Sequence, residues 1–355
     1  MLRRSKIEWA GRGIPPQGRC PRAAVPFLRS ETLPVANKPI LLVARRLPDN
    51  VLARIARDYD ARVNVDDTIY DSETLMRLAQ GCAGLLICSS EKLGAREIGL
   101  LPATVKIVAT FSVGYDHIDI AAAKARGIVV TNTPEVLSDA TADIAMLLLL
   151  GAARRAYEND RLLRSGEWKA WTPTFMLGAD VSGKTLGILG MGRIGQAVAR
   201  RARGFDMTIH YSNRTRLAPE LEQGAVYHAD AEAMLPGIDY LSINAPSTAE
   251  TRHWLNARRI GLMKRSAIVV NTARGNLVDD GALIAALCAG RLRAAGLDVY
   301  EGEPKLNPDY IPLENTFLMP HIGSATEGTR DAMGFRALDN LDAYFAGKPP
   351  KDRLV

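Results

Sequence analysis

The sequence predicts an α/β protein made of two doubly wound parallel sheets, with an active-site cleft between them. Three observations carry this expectation. Short apolar runs alternate with helix-period stretches in two separate series. A Gly-x-Gly-x-x-Gly turn opens the second series directly after one of those runs. The 355 residues are enough for two domains.

The first series starts after Pro39, with candidate strands at 40–44, 62–65, 84–88, 106–110 and 128–130. Helical patterns such as 49–57 and 72–80 fall between them, which is the alternation of a parallel sheet covered on both faces. A long helical stretch is expected over 136–163, then a loop bearing Trp and Pro at 166–182. The second series has expected strands at 185–189, 207–211, 225–227, 239–244, 267–271 and 293–298, and a last helix at 324–345 closes the chain.

Composition narrows the class further. Hydrophobic residues are 47% and charged residues 24%, an ordinary globular balance that excludes a mainly disordered chain. The longest uncharged apolar run, 144–153, is about half of what a bilayer helix needs. Cys20, Cys82, Cys88 and Cys288 form no C-x-x-C pair, so a reducing compartment such as the cytoplasm is expected. His117, His210, His228, His253 and His321 lack ligand spacing, and no metal is expected. The net charge of +6 is concentrated at the start, where 1–37 hold seven basic residues against Glu8 and Glu31. With five prolines and no hydrophobic period, 1–37 are expected to be a disordered leader, either a targeting peptide or an extension upstream of the true start. The remaining 318 residues carry 38 basic and 37 acidic side chains, too even a balance for a nucleic-acid face; neither nucleic acid nor a membrane is an expected partner.

The turn Gly190-Met191-Gly192-Arg193-Ile194-Gly195 follows the run 186–189 and leads into an amphipathic helical pattern. In a Rossmann-like unit the first glycine permits the tight turn, the second lets a pyrophosphate approach, and the third lets helix and strand pack closely. The next strand should then end in an acidic residue that holds the ribose 2′-hydroxyl of NAD. Here it ends in Ser212-Asn213-Arg214-Thr215-Arg216, which offers hydroxyl, amide and guanidinium donors and no carboxylate. NADP(H) is therefore the expected cofactor, with NAD(H) possible.

Three further residues belong to strand-end loops of the second series: Arg274, Glu303 and His321. Ligands of parallel sheets gather beyond the carboxyl ends of strands, so these loops should converge on the cleft. Hydride transfer to a carbonyl needs a proton donor, which a His supplies near neutral pH and a neighbouring carboxylate orients. An arginine binds a carboxylate and polarises a carbonyl.

Over about residues 38–350 the chain resembles the D-isomer-specific 2-hydroxyacid dehydrogenases, and within them most closely the glyoxylate/hydroxypyruvate reductases. The stretches that carry the likeness are Phe111-Ser112-Val113-Gly114-Tyr115-Asp116-His117-Ile118-Asp119, Asn132-Thr133-Pro134, and the runs 189–196, 271–275, 296–304 and 320–325. The resemblance implies reduction of small 2-keto acids to D-2-hydroxy acids. His321 is then the acid/base, Glu303 its partner and Arg274 the substrate anchor. The backbone of Val113 and Gly114 would hold the substrate carboxylate, and Asp298 the nicotinamide carboxamide. Thr272, Ala273, His321 and Gly323 would complete the cofactor-facing set. It also implies a flavodoxin-like substrate lobe built from 38–137 plus 322–350, a cofactor lobe over 138–321, and a homodimer in which Trp171 shapes the neighbouring subunit's pocket. Two other readings stay open: reduction of a larger 2-keto acid, such as a ketogluconate or hydroxyphenylpyruvate, and a dinucleotide-sensing corepressor without enzymatic function.

Overall fold

The strands form two sheets, both wholly parallel, in a computed structural model that describes residues 38–355. The expected leader, 1–37, lies outside the described residues. The first sheet contains β1 (Ile40–Val43), β2 (Asp60–Val63), β3 (Gly84–Ile87), β4 (Ile107–Thr110) and β5 (Val129–Thr131), in the order β2-β1-β3-β4-β5. Four helices join them: α1 (Asp49–Asp58), α2 (Ser72–Leu78), α3 (Ala95–Leu100) and α4 (Ile120–Ala125). β3 and β4 are buried along their whole length, which is why they read as continuous apolar runs.

Two helices follow, α5 (Ser138–Ala153) and α6 (Ala156–Ser165), where the sequence predicts one. The break is at Arg155, whose backbone is left-handed (φ +56°) and whose guanidinium turns back onto Glu158 in two hydrogen bonds of 2.9 and 2.6 Å. α5 is apolar on nearly every side because it is covered on nearly every side.

The second sheet contains β6 (Thr185–Leu189), β7 (Thr208–Ser212), β8 (Val226–Tyr227), β9 (Tyr240–Ile243), β10 (Ile268–Asn271), β11 (Ala294–Leu297) and β12 (Thr316–Leu318). Their order is β12-β11-β10-β9-β6-β7-β8, so the strand order reverses between β6 and β9. Its helices are α7 (Arg193–Arg203), α8 (Pro219–Glu222), α9 (Ala231–Met234), α10 (Ala257–Leu262) and α11 (Asp280–Cys288). α5 packs on β10, β11 and β12, close enough at β11 that a Cβ on Gly296 would lie 2.7 Å from the Leu148 carbonyl oxygen. β12 is absent from the sequence reading: three residues in Asn315-Thr316-Phe317-Leu318-Met319 are too short to show a period.

The closing helix, α12 (Glu327–Phe345), returns to the first sheet, with Met333, Ala337, Leu338 and Leu341 packed among Leu41, Val43, Val51 and Leu86. Its start lies at Thr326, whose hydroxyl accepts from the Thr329 N–H, rather than at 324. The last residues run beside β5, where the Leu354 N–H donates to the Val130 carbonyl at 2.8 Å. Asp352 is tied to α12 by Arg336 and Asn340. The segment packed on the first sheet thus extends past 350 to the final residue. Replacing Leu338, fully buried, by Ala should cost about 2–5 kcal/mol by leaving a cavity. An unshifted urea transition would remove α12 from the core.

Candidate active site

The loops beyond the carboxyl ends of both sheets meet in one region. At its phosphate end, Gly190 has φ +90°, and a Cβ there would lie 2.6 Å from the Ala245 nitrogen, so only glycine fits. A Cβ on Gly195 would lie 2.4 Å from the Gly190 carbonyl, which is the close helix–strand approach expected of the third glycine. A Cβ on Gly192 would meet nothing within 4 Å: the space in front of it is open, at the N-cap of α7. Asn213 accepts the Met191 N–H at 2.6 Å, so its side-chain oxygen braces the glycine turn. Met191 is buried, and Ile194 packs against the cores of both sheets. Arg193 is exposed, with a guanidinium nitrogen 3.5 Å from Glu135.

The turn after β7 divides its arginines. Arg216 is held by Glu222 in two hydrogen bonds of 2.7 and 3.0 Å, and Tyr211 donates to the same carboxylate. Of the guanidinium donors expected at this turn, that pairing engages Arg216. Arg214 and Thr215 are exposed and form no side-chain hydrogen bond or ion pair among the described residues; Ser212 is buried at the strand end.

Beyond β10, Asn271 shapes the loop by accepting the Ala273 N–H and donating to the Arg274 carbonyl. Gly275 follows because the loop presses on its neighbour, where a Cβ would fall 1.8 Å from the Tyr300 carbonyl carbon. Thr272 is buried and its hydroxyl has no partner among the described residues; nor does the buried side-chain oxygen of Asn244, at the end of β9. Two orphaned polar atoms, an open glycine and a helix N-terminus at the reversal between β6 and β9 are the features a dinucleotide requires.

Beyond β11, Glu303 accepts the Tyr300 N–H at 2.8 Å and meets His321 Nδ1 at 2.6 Å. That leaves His321 Nε2 without a partner among the described residues, at a backbone position of φ +55°. Burial works against the charge on Glu303, but the hydrogen bond and charge of His321 outweigh it and hold the carboxyl below its ordinary range, with Arg274 adding to the effect. Asp298 is fully buried and accepts the N–H groups of Ile322 and Gly323, each at 2.7 Å. Burial raises its pKa against those two bonds.

Arg274 lies against the turn after β4: a Cβ on Gly114 would be 1.8 Å from its Nη2. That turn is braced from three directions. Asn132 donates to the Val113 carbonyl (2.8 Å), Ser112 to the Gly114 carbonyl (2.7 Å), and the Thr133 N–H to the Ser112 carbonyl (2.9 Å). With their carbonyls engaged, Val113 and Gly114 keep N–H groups that have no acceptor among the described residues. None of these braces is visible as a pattern in the sequence: two join segments that are distant along the chain, and the third depends on the conformation of the turn itself.

The model of the D-isomer specific 2-hydroxyacid dehydrogenase NAD-binding domain matches residues 146–323. A glycerate dehydrogenase of Hyphomicrobium methylovorum is 44% identical over 313 residues, covering 88% of this chain and 97% of that protein. A glyoxylate reductase of Thermococcus onnurineus is 44% identical over 88% of this chain and 95% of its own. The chain belongs to the D-isomer-specific 2-hydroxyacid dehydrogenase family. It is an oxidoreductase, and its cofactor is a nicotinamide dinucleotide. Among solved structures, an NADPH-dependent glyoxylate/hydroxypyruvate reductase of Sinorhizobium meliloti, in complex with NADP and malonate, has a TM-score of 0.80 at 33% identity, covering 90% of this chain and 97% of that one.

Within this dehydrogenase chain, Trp171 is 75% exposed and belongs to none of the buried clusters. No helix of the described residues is long and apolar enough to cross a membrane.

His117 is buried, shares a 2.9 Å hydrogen bond with Thr110, and has no partner on Nδ1 among the described residues. Burial lowers its pKa from 6.5 to about 4. Between those values the unfolded chain takes up a proton that the folded protein refuses. Stability therefore falls as pH drops from 6.5 towards 4, by about 1.4 kcal/mol per unit. His117→Gln should lose about 2 kcal/mol less than wild type in urea unfolding between pH 6.5 and pH 5. Equal losses would remove His117 from the acid response.

Proposed function

We propose that this dehydrogenase reduces small 2-keto acids, glyoxylate and hydroxypyruvate, to D-2-hydroxy acids with NADPH. The observation that carries the reading is the pairing of His321 Nδ1 with Glu303, which leaves Nε2 without a partner among the described residues, together with an Arg274 seated on the Val113–Gly114 turn. The substrate carboxylate binds the free N–H groups of Val113 and Gly114 and the Nη2 edge of Arg274. Arg274 also draws electron density from the C2 carbonyl. The reduced nicotinamide, when bound, supplies the hydride. His321 gives its Nε2 proton to the C2 oxygen, and the Glu303 carboxylate fixes the tautomer and stabilises the charged ring before that transfer. In the reverse direction the same nitrogen removes the hydroxyl proton.

Gly190, Gly192, Gly195 and the start of α7 would hold the pyrophosphate, with Arg193 at its edge. Thr272, Ala273, Asp298 and Gly323 would line the nicotinamide half. Each Asp298 oxygen has one lone pair left after accepting from the His321 loop, enough for a carboxamide N–H. Arg214, with Ser212, Asn213 and Thr215, is the reader of the 2′-phosphate, since Arg216 is taken by Glu222. The similarity to an NADPH-dependent reductase supports that preference. The two lobes, 38–137 plus 322–355 and 138–321, close on the bound pair and exclude water. The exposed apolar side chains Trp168, Trp171, Phe175 and Leu177 support a homodimer in which Trp171 reaches the partner's pocket.

Initial rates with NADPH and with NADH, each with glyoxylate, hydroxypyruvate and a bulky 2-keto acid, test the reading. Fast NADPH oxidation by the two small acids is expected. Preference for the bulky acid overturns the substrate, and no turnover overturns the reaction. Arg214→Ala should weaken NADPH far more than NADH; equal losses would acquit Arg214. His321→Ala should lower kcat about 100- to 10,000-fold with NADPH affinity kept, and an unchanged kcat would exclude His321 as the proton donor.

A further inference from the structure

Arg274 is held by two acceptors, one from each sheet's end of the cleft. Its Nη1 donates to the carbonyl of its own neighbour Ala273 at 2.8 Å, and its Nε donates to Asp116 Oδ1 at 2.9 Å. Arg274 follows β10 of the second sheet, while Asp116 follows β4 of the first, 158 residues away in sequence. The same Asp116 oxygen lies 3.1 Å from where a Cβ on Gly114 would sit, so carboxylate, guanidinium and turn form one cluster. A guanidinium has five N–H donors, and these two bonds leave both hydrogens of Nη2 free over Gly114. Partial burial disfavours the charge on Asp116, yet the Arg274 charge and hydrogen bond prevail and hold its carboxyl below the ordinary range.

We propose that Asp116 is a positioning residue for the reaction: it holds the Arg274 guanidinium over the Val113–Gly114 turn, and thereby makes the carboxylate anchor complete only when the two lobes stand together. An arginine side chain has several rotatable bonds, and a tether at Nη1 alone leaves its tip free to pivot. A second tether at Nε fixes the plane of the guanidinium, so the Nη2 edge is already oriented when a keto acid arrives. Asp116 takes no proton and touches no reacting atom. Its part is the geometry of Arg274. Glycine at 114 belongs to the same device, because any side chain there would displace the guanidinium.

The inference rests on Arg274 being the carboxylate anchor. Loss of glyoxylate turnover in Arg274→Ala, measured alongside, tests that assignment separately. Asp116→Ala in the full-length enzyme should lower kcat/KM for glyoxylate about 10- to 100-fold, mostly through KM, the loss expected for a charge-assisted hydrogen bond. The NADPH Kd should be unchanged. Asp116→Asn, whose side-chain oxygen still accepts from Nε, should stay within about threefold of wild type. In an Arg274→Ala background Asp116→Ala should cost nothing further. If Asp116→Ala folds poorly, Asp116→Leu removes the acceptor at similar volume and takes its place. Full activity in the variant without an acceptor overturns the proposal. So does failure of Asn to rescue, or an undiminished loss once Arg274 is gone.

Discussion

Two hydrogen bonds to a buried carboxylate hold the His321 loop in place. Asp298, at the end of β11, accepts the N–H groups of Ile322 and Gly323, so the loop that carries His321 is fastened to the second sheet just as the chain leaves it for the first. The backbone at His321 lies in the left-handed region, which a non-glycine residue occupies only when its surroundings insist. Asp298 supplies that insistence from one side. Glu303, reached through the loop after the same strand, supplies it from the other by engaging the imidazole. The direction of His321 Nε2 follows from these contacts, and with it the chemistry open to the crevice.

The crossing at 321 has a counterpart. The chain first passes from one sheet to the other through Asn132-Thr133-Pro134-Glu135, and Glu135 too is left-handed, at φ +75°. Asn132 at that crossing fixes the Val113 carbonyl, and Glu135 lies between Arg193 of α7 and Arg336 of α12. Each passage between the sheets therefore combines a residue of left-handed backbone with contacts to the proposed site: the Val113–Gly114 turn at one, the His321 imidazole at the other. The exposed ion pairs of Glu135 are worth little singly. Their interest is position, since they join the opening of the cofactor helix to the helix that closes the first sheet.

Much of this was legible in the sequence, for physical reasons that differ by element. The strands β1, β3, β4, β6 and β10 are buried on both faces, so they appear as continuous apolar runs, and their expected limits lie within a residue or two of those observed. The glycine turn was legible because backbone geometry leaves no alternative residue at 190 and 195. β12 was not, being three residues long, and neither was the break in the long helix, since nothing local marks Arg155 as left-handed. The pairing of Arg216 is not legible, because its partner Glu222 lies six residues on, within a helix of four residues that propensity does not announce. Asp116, Asn132 and Ser112 stand in recognisable motifs, but their work depends on contacts that sequence spacing cannot express.

The proposed reaction depends on one arrangement: a keto acid whose carboxylate is held by the Val113 and Gly114 N–H groups and by Arg274, and whose C2 oxygen faces His321 Nε2. A crystal structure of the enzyme with NADPH and oxamate, an unreactive mimic of glyoxylate, tests that arrangement directly. The oxamate carboxylate is expected on those two N–H groups and on Arg274 Nη2, with the oxamate carbonyl oxygen within hydrogen-bond reach of His321. An oxamate bound with its carboxylate away from the 113–114 turn, or with no oxygen near His321, would contradict it.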